Sequence, residues 1–114
     1  MLQLVPLIAL ALVTGYAPAA GGLNCDGECA VTASGLPPGP TLAACGYGWD
    51  LGQRLQVPGY GAVTCGDRFA SREYAARAGL PPYAMDLWFA TAAEAYAWGV
   101  RRLPVTVLPV EATD

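Results

Sequence analysis

Short apolar runs broken by glycine and proline make up most of this chain. Apolar runs of strand length bounded by turn residues predict β-strands. They fall at about Leu10–Tyr16, Leu42–Cys45, Arg54–Val57, Ala62–Cys65, Ala84–Phe89 and Arg102–Leu108, with a further short run at Ala30–Ser34. A Gly/Pro/Cys-rich loop spans Ala17–Cys29, and Gly35–Pro40 reads as a turn. Pro58-Gly59-Tyr60-Gly61 has the composition of a tight turn and joins its two flanking runs into a hairpin. Two segments depart from strand patterning. Ala70–Ala78 is rich in helix formers and stops at Gly79. Thr91 with Glu94 forms a Thr-x-x-Glu capping box for a helix that ends at Gly99, with Ala92, Ala95 and Tyr96 spaced to face a core. Pro81-Pro82 forces an extended entry into the strand at Ala84.

Six or seven short strands in so short a chain cannot leave long edges bare, and closure into a small barrel is the natural solution. The 114 residues suffice for one small domain. Its expected extent is 12–108, with 109–114 as a tail. Residues 1–13 are apolar and carry no charged side chain. That run is too short to span a bilayer, so no transmembrane anchor is expected. Residues 1–11 read either as a short secretory signal or N-terminal extension, with Ala9-Leu10-Ala11 as a small-x-small cleavage site, or as part of the first strand.

Composition narrows the chemistry. There is no His and no Lys; all six basic residues are Arg. Nucleophile–His pairs, His metal sites and Schiff-base chemistry are thereby removed. A net charge of −3 provides no basic surface for phosphates, which argues against nucleic acid as a partner. Acid–base work falls to nine carboxylates, six tyrosines and the thiols. No cofactor is implied.

The four cysteines stand at 25, 29, 45 and 65. An even count in a small domain suggests two disulfides and an oxidising compartment or a particle outside the cell. Of the three connectivities, Cys25–Cys29 with Cys45–Cys65 is preferred. A four-Cys zinc site is a rival, though it wants closer pairs than these spacings offer. Free buried thiols are a third reading.

Asp86 is the most informative position. It is a carboxylate in the middle of an apolar strand, where a charge is costly unless it is paired or used. Around it the residues resemble a known family, the three-aspartate (3D) domain. Four stretches carry the likeness in fixed order: Val13-Thr14-Gly15-Tyr16 with Thr32-Ala33-Ser34-Gly35; Leu51 through Gly61; Cys65-Gly66-Asp67-Arg68; and Asp86-Leu87-Trp88-Phe89 through the capped helix to Val105-Thr106-Val107-Leu108. The resemblance implies a mainly β fold, a six-stranded double-psi β-barrel with two short helices. It is the barrel of membrane-bound lytic transglycosylase A and of expansin- and barwin-like proteins. The chain departs from the family twice. Cys45 stands where the family's first aspartate falls, and the stretch between Asp67 and Asp86 is longer, with the helix at 70–78 in place of a Gly-rich loop.

The resemblance implies an activity. In the related lytic transglycosylases one aspartate, on the strand that Asp86 matches, protonates the glycosidic oxygen between N-acetylmuramic acid and N-acetylglucosamine. It then takes the proton of the muramic C6 hydroxyl as a 1,6-anhydro ring closes. Asp86 is the expected acid/base, its pKa raised by its apolar setting and by like-charge repulsion from Asp67. Tyr47, Trp49, Tyr60 and Trp88 are candidates to stack on sugar rings, with Arg68 beside them; each aromatic has core or rim packing as its rival role. The alternative for Asp86 itself is structural: backbone hydrogen bonds, or an ion pair with Arg68 that would lower its pKa. Three functions follow. One is a peptidoglycan-cleaving barrel, secreted, periplasmic or envelope-associated. The second is a non-catalytic barrel that binds wall glycan or serves as a structural module of a phage tail, virion or cell envelope. The third is an inhibitor-like or protein-binding barrel.

Overall fold

A computed structural model describes residues 8–17 and 38–109. In chain order the elements are β1 (Ile8–Tyr16), β2 (Leu42–Cys45), β3 (Arg54–Val57), β4 (Gly61–Asp67), α1 (Arg72–Ala78), β5 (Ala84–Trp88), α2 (Ala92–Trp98) and β6 (Arg101–Val107). The strands close into a six-stranded barrel in the order β1-β5-β2-β4-β3-β6. Pairing is mixed: β1/β5 and β2/β4 are parallel, and the other neighbours are antiparallel. Closure leaves no long open edge, as the strand count required.

Alternation along the strands sorts the side chains. Ala11 and Val13 of β1, Leu55 and Val57 of β3, Val63 of β4, Met85 and Leu87 of β5 and Val105 of β6 fill the interior. Cys45 and Cys65 are among them, joined as a disulfide with their Cα atoms 5.7 Å apart. This bond ties β2 to β4 and takes both sulfurs away from any zinc site. Cys25, Cys29, the run Ala30–Ser34 and Thr32–Gly35 lie outside the described residues.

β1 begins at Ile8, two positions before the expected start. Ala9 and Ala11 stand opposite Val105 and Leu103 of β6, so the candidate cleavage site lies within a strand ladder. α1 begins at Arg72 rather than Ala70, because the Ser71 side chain caps it by accepting from the Tyr74 N–H. α2 carries the expected capping box between Thr91 and Glu94. Its buried face, however, is Ala95 and Trp98, not Ala92, Ala95 and Tyr96. The Trp98 indole N–H donates to the Val13 carbonyl and seals α2 onto β1. Tyr96, two positions away and so on the far side of the helix, is 72% exposed.

The segment after β4 is held against the opposite side. Gly46 N–H donates to the Ala84 carbonyl and Gly48 N–H to the Pro82 carbonyl, both at 2.8 Å. The approach is close enough that a Cβ on Gly46 would lie 2.6 Å from the Pro82 carbonyl oxygen. Two covers, α2 and the segment around α1, therefore flank the outer surface of the β1/β5 pair.

Candidate active site

Met85 and Leu87 point into the barrel, so Asp86 between them points out. Its neighbours across the sheet are Thr14 on β1 and Ala44 on β2. The Thr14 hydroxyl donates to Asp86 Oδ1 at 2.8 Å. Between the two covers runs a groove of about 810 Å³ with Thr14 and Asp86 on its floor. Asp86 is largely screened from water by this setting. Burial pushes its carboxyl from 3.8 up to about 6, and the Thr14 hydrogen bond offsets part of the rise. The expected contribution from Asp67 is absent. Asp67 sits at the end of β4, half-buried, and accepts from the Arg68 N–H. Its charge bears on Tyr16 instead.

Tyr16 is a member of this site that the sequence reading missed. Strand alternation puts it on the outer face with Thr14, one diagonal step from Asp86. Burial, then the charges of Asp86 and Asp67, push its phenol up to about 12, so it stays protonated. Position 16 carried no signal of this, because nothing local says that β1 lies beside β5.

Arg68 does not pair with Asp86. Its guanidinium donates to the carbonyls of Cys45 and Gly46 and stands over the Tyr47 ring. Arg72 stands over the same ring, and the Tyr47 hydroxyl donates to the Ala70 carbonyl. Tyr47 is thus a fastening for α1. Trp49 is 2% exposed and belongs to the core, with the surface ring of Tyr83 packed edge-on against it, which leaves no face for a sugar. Tyr60 belongs to a cluster with Phe89 and Trp98 and donates to the Trp88 carbonyl. Trp88, partly exposed, alternates to the same face as Asp86. The aromatic residues that do line the groove are Phe69 and Tyr96.

Among the described residues no group of three or more His, Cys, Asp or Glu side chains is placed to hold a metal ion. No helix among them is long and apolar enough to cross a membrane. In comparisons with known proteins, no family model, no curated protein and no solved structure matches the chain.

Proposed function

We propose that this chain is a peptidoglycan-active barrel of the double-psi, 3D-like kind, which cleaves the bond between N-acetylmuramic acid and N-acetylglucosamine as a lytic transglycosylase does. The observation that carries the reading is Asp86: a carboxyl raised to about 6 by burial, on the floor of an open groove, hydrogen-bonded to Thr14 and not to Arg68. A general acid works best with its pKa near the operating pH. In its neutral form Asp86 gives its proton to the glycosidic oxygen and the bond to the muramic C1 breaks. The C6 hydroxyl closes on C1, and the Asp86 carboxylate takes the hydroxyl proton. Acid and base are one residue, no water enters, and no second carboxylate is needed. Thr14 holds the carboxyl in position, and its hydrogen bond strengthens as the charge develops. The phenol of Tyr16, held protonated beside Asp86, completes the surroundings. The Cys45–Cys65 disulfide supports an oxidising location, whether secreted, periplasmic, envelope-associated or on a virion.

The second reading is a glycan-binding or structural module without catalysis, in a phage tail or an envelope. It is favoured by Cys45, which stands where the family has its first aspartate and is locked in the disulfide. Mass spectrometry of peptidoglycan digests separates the two. The enzyme releases 1,6-anhydro muropeptides and Asp86→Asn does not; if wild type releases none, the binding module is what remains.

A further inference from the structure

The groove over Asp86 has a definite build. Its floor is the β1/β5 pair, with Thr14 and Asp86 at the surface. One side is α2 and the two residues that follow it, which contribute Tyr96 and Val100. The other is the segment around α1, which contributes Phe69 and Leu80. Tyr96 and Val100 are 72% and 70% exposed, and Phe69 is 38% exposed. Large apolar side chains left this open to water, gathered on the sides of one groove, mark a surface that something covers. Each belongs to a cover that is itself fastened: α2 by Trp98 to Val13, and the α1 segment by Tyr47 to Ala70.

We infer that Tyr96 and Phe69 are the aromatic sides that hold a pyranose ring over Asp86, and that the occupant of this groove is an uncharged sugar unit presenting its C–H faces to them. This deepens the proposed glycan-cleaving function and rests on it. The charge pattern argues for that occupant. No arginine is among the described lining residues, so a phosphate or carboxylate would find no counter-charge there. The polar groups are confined to the floor, where a hydroxyl or ether oxygen of a sugar would meet Thr14 and Asp86. Pockets of this sort, apolar sides with a few polar groups, bind by stacking and orient by hydrogen bonds. Three of the other aromatic candidates are committed elsewhere, Trp49 to the core, Tyr47 to two guanidinium groups and Tyr60 to its ring cluster, and Trp88, though on the face of Asp86, is not among the residues that line the groove. The inference also gives a role to the inserted stretch around α1, since Phe69 arrives with it.

The test is binding of the full chain to chitotetraose by calorimetry and to peptidoglycan sacculi by sedimentation. Wild type binds both. Tyr96→Ala and Phe69→Ala each weaken binding by about tenfold, the size of one lost ring contact. Tyr96→Phe and Tyr96→Trp keep it, because the face and not the hydroxyl does the holding. Far-ultraviolet circular dichroism and the melting temperature of Tyr96→Ala stay at wild-type values, because the side chain is outside the core. If wild type binds and both alanine variants bind equally well, the aromatic assignment is overturned while the glycan reading stands. If wild type binds neither probe, the glycan reading fails and the assignment falls with it.

Discussion

Replacing Asp86 by Asn should make the protein more stable at neutral pH, and the gain should grow with pH in a defined window. The folded chain holds the Asp86 carboxyl at about 6 against 3.8 for an unburied aspartate. Between those values the folded state binds a proton that the unfolded state has released. The contribution of that proton is fully present below 3.8 and is lost as pH rises through about 6. The interval is about two pH units, and at about 1.4 kcal/mol per unit the loss approaches 3 kcal/mol. Asparagine carries no charge to desolvate, and its side-chain oxygen can still accept from Thr14. Relative to wild type, Asp86→Asn should therefore gain little near pH 3.5, gain progressively through pH 4–6, and level off near 3 kcal/mol above pH 7. Urea denaturation of both proteins at several pH values reads this directly, since the remaining carboxylates titrate in both and cancel. A difference that is flat with pH, or an asparagine variant that loses stability as pH rises, would show that burial does not hold Asp86 neutral.

Two further predictions concern the frame around the site. Removing the disulfide with Cys45→Ala and Cys65→Ala should cost about 3 kcal/mol, because the bond closes a loop with a sequence separation of 20; urea melts with and without reductant should bring wild type down to the variant's level only under reducing conditions. Gly46→Ala should destabilise by about 1–3 kcal/mol, since its Cβ would lie 2.6 Å from the Pro82 carbonyl oxygen and the backbone must shift to make room; a thermal melt unchanged from wild type would show that the two segments are not held this closely.

The parts of the fold readable in the sequence are those set by neighbours along the chain. The hairpin at Pro58–Gly61, the capping box at Thr91 and Glu94, and the stop at Gly79 depend on residues a few positions apart, and all are present. That Asp86 sits in an apolar strand was legible, but its outward orientation came only with the structure, which puts Met85 and Leu87 in the interior. The sequence could not show what Asp86 meets outside. Thr14 reaches it across 72 positions of chain, through a parallel pairing that no local pattern announces. The same pairing brings in Tyr16. The face of α2 was misread because Tyr96 and Trp98 are both large and aromatic; the choice fell to Trp98, whose N–H finds the Val13 carbonyl. Trp49, a plausible sugar platform by type, went to the core, where the ring of Tyr83 covers it from the surface. Arg68 was assigned to Asp86 or to substrate on charge alone, but carbonyls of Cys45 and Gly46 lay nearer to hand.

The central claim is that a neutral Asp86 in this groove delivers a proton to a glycosidic oxygen. Its most direct test is the release of 1,6-anhydro muropeptides from purified peptidoglycan, followed by mass spectrometry from pH 5 to pH 8 for wild type and Asp86→Asn. The account predicts a wild-type rate that is highest at the acid end and falls about tenfold per pH unit above the Asp86 midpoint of about 6, with no release by the variant. Release that persists undiminished in Asp86→Asn, or no anhydro product from wild type even at pH 5, would contradict it.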